Sequence, residues 1–119
     1  IPPTVFHLLN IPAHPSFQGL NLFDPEPRPD RAAYSVVQSY VHQYAIIQGP
    51  WKLIFDAGEW ESSLYDLQMD PEERTDLKNR EPDLVNKLSC KLAFWRFQQL
   101  DYYAQSGRYL KYYPPQFED

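Results

Sequence analysis

The stretch LYDLQMDPEERTDL, residues 64–77, decides the fold because it joins a predicted strand to a turn. Residues 64–67 have the composition of a short strand, and Asp70-Pro71 is typical of a turn whose φ angle the proline presets. Glu72 and Glu73 suit the first turn of a helix, since carboxylates interact favourably with a helix N-terminus. The stretch therefore predicts a strand, a turn and a helix in succession, and its role is architectural.

Three stretches before it are rich in β-branched and aromatic residues, and they predict antiparallel strands at residues 33–41, 43–48 and 51–56. In the third, Trp51, Leu53 and Phe55 share one face, while Lys52 and Ile54 share the other.

Gly49-Pro50 predicts a tight hairpin between the second and third strands. Residues 57–62 predict a second hairpin loop, which leads into a strand at residues 63–67. The four stretches together predict a three- or four-stranded antiparallel meander.

A long amphipathic helix is predicted after Pro82, ending near Gly107, as the usual asymmetry of helix termini suggests. Apolar residues recur there at helical spacing, with two at the borders of the stripe: Leu84, Leu88, Leu92 and Trp95, then Val85 and Leu100. Such a helix, of about six turns, covers one face of a sheet. The predicted fold class is α+β: a three- or four-stranded antiparallel sheet packed against a long C-terminal amphipathic helix.

The N-terminal segment predicts a short helix over residues 2–10, in which Asn10 adopts the left-handed conformation of a C-terminal cap. Pro12 and the four prolines within residues 13–30 occur without a sustained period. This pattern indicates a connection, which we expect to be anchored by four apolar residues: Phe17, Leu20, Leu22 and Phe23. The predicted organisation is 1–30 as helix and connection, 31–107 as a sheet-plus-helix subdomain, and 108–119 as an aromatic, proline-rich tail.

Composition limits the possible functions. A length of 119 residues fits one domain, and a net charge of −5 argues against a nucleic-acid partner. No apolar run approaches the ~20 residues of a membrane helix. The single cysteine, Cys90, excludes an internal disulfide, and an opening at Ile1 suggests a piece of a longer polypeptide.

Three other sets of residues are candidates for a site. His7, His14 and His42 are too scattered for a metal set, and a structural or solvent role is favoured. Glu59 and Glu61 around Trp60 resemble a carboxylate pair for glycoside chemistry, but a solvated hairpin loop explains them better. The tyrosines near the C-terminus are expected to dock on a missing domain rather than to stack on sugar rings: Tyr102, Tyr103, Tyr109, Tyr112 and Tyr113.

Two matches, in the same order along the chain, resemble the sulfatase family. The first match resembles a motif of the C-terminal subdomain of sulfatases and consists of Leu64, Tyr65, Asp66, Leu67, Asp70, Pro71, Glu73, Asp76 and Leu77. In the family the last pair of this motif is more often Asn-Leu than Asp-Leu. This match follows the strand Trp51–Ile54 and precedes the long helix. The second match is similar to the segment that leaves the catalytic domain of sulfatases. It consists of PTVF at residues 3–6, LNIP at residues 9–12 and QGLNL at residues 18–22. This chain has asparagine at position 10, where glycine is commoner in the family.

The resemblance implies a parent enzyme that hydrolyses sulfate esters or sulfamates on an alkaline-phosphatase-like core. Such an enzyme uses a cysteine or serine oxidised to formylglycine, in a Cys/Ser-x-Pro-Ser-Arg motif, and a calcium ion held by the catalytic domain. Cys90 is followed by Lys91-Leu92-Ala93 and does not match that motif. No catalytic, cofactor-binding or metal-ligating residue is therefore assigned in this chain.

Two functions remain open at this point. In the first, the chain is the non-catalytic C-terminal part of a sulfatase-type hydrolase, packs on the catalytic domain and shapes the substrate cleft. In the alternative, it is a free-standing protein- or glycan-binding module without activity. The resemblance favours a location outside the cytoplasm, either periplasmic, secreted or lysosomal.

Overall fold

The computed structural model describes residues 2–14, 17, 19–24, 31–38 and 42–104. The chain divides into two compact units, Arg28–Arg96 and Ile1–Pro27 with Phe97–Asp119. The described elements, in chain order, are α1 (Pro2–Leu8), β1 (Ala32–Gln38), β2 (His42–Gln48), β3 (Trp51–Asp56), β4 (Glu61–Asp66) and α2 (Pro82–Ala104). The α+β class predicted from the sequence is confirmed.

The four strands form one antiparallel sheet in the order β1-β2-β3-β4, which confirms the predicted meander. Gly49 and Pro50 alone connect β2 to β3, because Gln48 lies opposite Trp51. Gly49 has a φ of 57°, and a positive φ at the first of two loop residues, followed by proline, fits a type II′ turn. The twist of that turn matches the twist of the strands, so a two-residue connection suffices.

The core of the unit Arg28–Arg96 lies between the sheet and α2. One row of side chains crosses all four strands in register: Tyr34, Ile46, Leu53 and Leu64. The last three are fully buried, as is Leu88 of α2 at 1% exposure. Full burial of each such aliphatic side chain contributes about 1.5–3 kcal/mol, so this row is the main stabilising feature of the unit.

Aromatic contacts extend the core towards the C-terminal half of α2. The rings of Tyr34 and Trp95 stack with centroids 4.7 Å apart and planes within 1°. The Arg96 guanidinium lies 4.2 Å from the ring centroid of Tyr44, a cation–π contact. The predicted apolar stripe of α2 is confirmed from Leu84 to Trp95, but Leu100 is 59% exposed and lies outside the core.

The segment between β4 and α2 differs from the sequence prediction. Residues 71–81 form turns rather than a helix, and α2 begins only at Pro82. Glu73 has a φ of 55°, which is incompatible with the first turn of a right-handed helix. The prediction from Glu72 and Glu73 was wrong because the ion pair and turn described below outweigh a helix-terminus preference.

The described strand ends differ from the predicted ones by one or two residues. β4 starts at Glu61 and ends at Asp66, so the loop between β3 and β4 is residues 57–60, shorter than predicted. Residues 39–41 of the first predicted strand, Gly107 and the predicted tail at 108–119 lie outside the described residues.

In the other unit, α1 ends at Leu8, and Asn10 adopts the predicted left-handed conformation of a cap, with a φ of 54°. The Ile11 N–H donates to the Phe6 carbonyl at 2.9 Å and the Asn10 N–H to the His7 carbonyl at 3.1 Å. These two bonds form a Schellman motif, which satisfies carbonyls that the helix end would otherwise leave open.

The connection after α1 is attached by fewer side chains than predicted. The Leu22 N–H donates to Thr4 Oγ1 at 3.0 Å, and the ring of Phe17 meets Phe6 edge to face at 4.9 Å. The side chains of Leu22 and Phe23 are 73% and 62% exposed. They therefore do not anchor the connection, and Leu22 is held through its backbone instead.

Candidate functional site

The closing segment, residues 64–77, begins with an aspartate that organises the turn after β4. Asp66 Oδ1 accepts hydrogen bonds from the N–H groups of Gln68, at 2.9 Å, and Met69, at 3.2 Å. The Asp66 carbonyl accepts the Asp70 N–H at 2.7 Å. Asp70 in turn accepts the Thr75 N–H through Oδ2 at 2.7 Å. Aspartate is favoured at such positions because its short side chain replaces a backbone acceptor.

An ion pair fixes the middle of the closing segment against the sheet. Lys52 Nζ lies 2.6 Å from Glu73 Oε1 and 2.8 Å from Oε2. Both side chains are half-buried, at 22% and 30% exposure. Lys52 also lies directly opposite Tyr65 on β4. The residues Lys52, Tyr65 and Glu73 are therefore brought together by the β3–β4 pairing and the turn.

Asp76 and Leu77 close the outer edge of β4. Asp76 Oδ1 accepts the Leu64 N–H at 3.0 Å, and the Leu77 N–H donates to the Leu64 carbonyl at 2.8 Å. Both backbone groups of Leu64 that face away from β3 are thus satisfied, as an added strand would satisfy them. The Leu77 side chain packs against the core cluster.

The same contacts determine the ionisation of Asp76. Burial opposes the charged form, but hydrogen bonds from the N–H groups of Leu64 and Lys78 and from Ser63, with the positive charge of Lys78, hold the pKa of Asp76 below its ordinary value. Asp76 is therefore a structural carboxylate, ionised near neutral pH, and its geometry is that of an edge cap.

A second ordered feature is the β3–β4 loop. Asp56 Oδ1 accepts the Gly58 N–H at 2.8 Å and the Glu59 N–H at 3.2 Å, and Asp56 Oδ2 accepts Gln43 Nε2 at 3.0 Å. The Gln43 amide and the two backbone donors hold the pKa of Asp56 below its ordinary value. The role of Asp56 was not predicted from the sequence, although an aspartate two residues before a glycine is a recognisable turn signal.

This loop presents an exposed tryptophan. Trp60 is 80% exposed, and its ring touches the partly buried Phe55 edge to face, with centroids 5.9 Å apart. Its φ is 57°, a left-handed conformation that is unusual for a bulky residue. Its sequence neighbours Glu59 and Glu61 are both exposed, and Glu61 Oε2 lies 3.5 Å from Lys78 Nζ.

The other predicted positions do not assemble. His7 lies on α1, His14 in the connection and His42 at the start of β2, all exposed. Cys90 is exposed on α2. Among the described residues, no three His, Cys, Asp or Glu side chains form a group that could hold a metal ion.

In the part of the chain that the structure describes, no helix has the length and apolar character needed to span a bilayer.

The tyrosines near the C-terminus are only partly described. Tyr102 and Tyr103 belong to α2, whereas Tyr109, Tyr112 and Tyr113 lie outside the described residues.

The fold is similar to part of three solved structures. One is a protein assigned as a sulfatase from Bacteroides thetaiotaomicron VPI-5482, with a TM-score of 0.67 and 17% identity over 86% of this chain. The second, solved with its substrate D-glucosamine-2-N,6-O-disulfate, has a TM-score of 0.68 and 23% identity over 83%. The third, a 2-O GAG sulfatase, has a TM-score of 0.65 and 18% identity over 86%. No protein-family model and no curated protein matches the sequence.

The matched region makes up 25%, 23% and 25% of those three chains. This chain therefore spans about a quarter of the length of the structures that it resembles. The sheet-plus-helix architecture is similar to that of part of each of those sulfatase structures. The resemblance inferred from the sequence is thus confirmed at the level of fold.

Proposed function

We propose that this chain is the non-catalytic C-terminal part of a sulfatase-type hydrolase of sulfate esters or sulfamates. It packs on the catalytic domain and shapes one side of the substrate cleft. The fold and the roughly one-quarter coverage of the similar structures support this proposal. Residues 64–77 serve it as a structural motif, in which Asp66 and Asp70 hold turns, Glu73 holds the sheet and Asp76 holds a strand edge.

The observation that carries the proposal is the exposed apolar side of α1. Four residues of α1 and its cap are large, apolar and exposed: Val5 at 43%, Leu8 at 64%, Leu9 at 62% and Ile11 at 46%. A short helix normally turns such residues inward, and clustered exposed apolar side chains are typical of a surface that contacts another domain. We infer that the catalytic domain covers this side of α1.

The substrate class follows from the relatives rather than from this chain. One similar structure binds D-glucosamine-2-N,6-O-disulfate and another is a 2-O GAG sulfatase, so we propose sulfated amino sugars or 2-O-sulfated GAG chains as substrates of the parent. The described residues provide no group for calcium. By the resemblance, calcium and formylglycine are proposed for the catalytic domain of the parent, and no catalytic step is assigned to this chain.

The test is to express the longest polypeptide that contains this sequence and to measure sulfate release from D-glucosamine-2-N,6-O-disulfate and from 2-O-sulfated disaccharides. We expect release by the long form, a formylglycine detectable by mass spectrometry in an upstream Cys/Ser-x-Pro-Ser-Arg motif, and no release by the 119-residue chain. An open reading frame without that motif, or a long form without release from any sulfated sugar, would refute the proposal and leave the interaction module.

The packing component needs its own test. Leu8→Glu in the long form should lower its stability or activity, because it places a charge in the buried contact. Met69→Glu is the matched control, since Met69 is 81% exposed in the turn after β4. Equal effects of the two substitutions would argue against a contact at α1.

A further inference from the structure

The exposed Trp60 is held in place rather than left to move. Asp56 binds two N–H groups of the loop and the Gln43 amide, and the Ala57 N–H donates to the His42 carbonyl at 2.9 Å. A left-handed φ in a bulky residue costs free energy and persists only where the surroundings impose it. Folding gains little in return, because the ring is 80% exposed.

The charges around the ring select among the possible ligands. Glu59 makes no ion pair among the described residues, and Glu61 shares a 3.5 Å contact with Lys78. An indole face attracts cations, and adjacent carboxylates strengthen that attraction. The same carboxylates repel sulfate or uronate groups, so this loop does not suit an anionic sugar.

We propose that Trp60, with Glu59 and Glu61, is a recognition point for an arginine or lysine side chain of a protein partner. The cationic group lies over the indole and is hydrogen-bonded by Glu59. Tryptophan in a preorganised position is typical of the residues that dominate protein–protein contacts, since little conformational entropy is lost on binding. This inference does not depend on the proposed sulfatase function.

The experiment is a titration of the ¹⁵N-labelled 119-residue chain, followed through its tryptophan indole N–H signals. The ligands are a glycine-flanked di-arginine peptide, its di-glutamate counterpart and D-glucosamine-2-N,6-O-disulfate. We expect only the arginine peptide to shift the Trp60 signal, and the effect to weaken with added salt. Trp51 and Trp95, which are partly buried in the core, should stay unchanged and report that the chain is folded. If the Trp51 and Trp95 signals change, binding of the same peptides to the longer polypeptide and to its Glu59→Gln and Trp60→Leu variants is compared by calorimetry.

Two substitutions test the chemistry, and isothermal titration calorimetry measures how tightly each variant binds the arginine peptide, because Trp60→Leu removes the indole signal itself. Glu59→Gln should weaken binding about two- to fivefold through lost charge, and Trp60→Leu should weaken it by a similar factor through the lost ring face. A shift of Trp60 by the disulfated sugar, or by no ligand, would overturn the proposal. Equal binding by Trp60→Leu would also overturn it, because the net charge of −5 would then suffice to attract the peptide.

Discussion

Lys52 and Glu73 are 21 residues apart in sequence, yet Lys52 Nζ donates to both carboxylate oxygens of Glu73, at 2.6 and 2.8 Å. The lysine lies on β3, and the glutamate lies in the turn that follows β4. This pair ties the closing segment to the sheet and places Glu73 in a left-handed conformation.

The Lys52–Glu73 pair should contribute measurably to stability because both side chains are half-buried. In a double-mutant cycle with Lys52→Met and Glu73→Gln, we expect a coupling energy of about 1 kcal/mol, the upper part of the range for partly exposed pairs. Urea unfolding at low and high salt measures it, and salt should reduce it. The pair Glu72 and Arg74, which is largely exposed, is the control. Coupling no larger than in that control would show that the closing segment is held by its turns alone.

Asp76 acts as an acceptor for Leu64 and Lys78, so the acceptor oxygen matters more than the charge. Asp76→Ala should lower the free energy of unfolding by about 1–3 kcal/mol, since it leaves the Leu64 N–H at the strand edge without its partner. Asp76→Asn keeps an oxygen at that position and should cost less. Thermal and urea unfolding of both variants give the comparison. Equal losses in the two variants would mean that the charge, rather than the edge hydrogen bond, is what counts.

Acid should destabilise the protein through Asp56 and Asp76. Their pKa values lie below the ordinary value of 3.8 in the folded state, so their contribution is complete above that pH. It is lost as the pH falls through their folded-state pKa values, because the unfolded state takes up protons at a higher pH than the folded state does. Unfolding measured from pH 6 to pH 2 should show this decline, and the double variant Asp56→Asn with Asp76→Asn should show a shallower one. An unchanged slope would place the acid sensitivity in other carboxylates.

Trp60 should be nearly dispensable for folding. Trp60→Asn removes an exposed ring and its edge contact with Phe55, and it introduces a residue that tolerates a left-handed φ. The two effects oppose each other, and we expect the free energy of unfolding to change by less than about 1 kcal/mol. A loss well above that value, measured by urea unfolding, would show that Trp60 serves the fold rather than a partner.

The isolated chain should bind a hydrophobic dye such as ANS. The exposed apolar residues of α1 form the kind of surface that binds such dyes, and Leu8→Glu with Leu9→Glu should reduce the fluorescence. Met69→Glu provides the control, since Met69 is a single exposed residue. Little dye binding by the unchanged chain would favour a free-standing module.

The periodic patterns of the sequence determined the elements of this protein. Alternation at Trp51, Leu53 and Phe55 predicted a strand and its two faces. Helical spacing from Leu84 to Trp95 predicted α2, and Asn10 predicted a helix end. These three predictions succeeded because each of the features rests on local preferences of the backbone. The resemblance of residues 64–77 to a sulfatase motif likewise required only their order.

The tertiary structure alone decided how residues 64–77 are used. No local rule relates Lys52 to Glu73, or Leu64 to Asp76, because these contacts exist only after β3 and β4 pair. The ion pair replaced the helix expected at Glu72 and Glu73 with turns, and the pairing of Asp56 with Glu61 shortened the loop that presents Trp60. Local preferences act over a few residues, whereas strand pairing brings distant residues together, and this is why the elements were predictable and their connections were not.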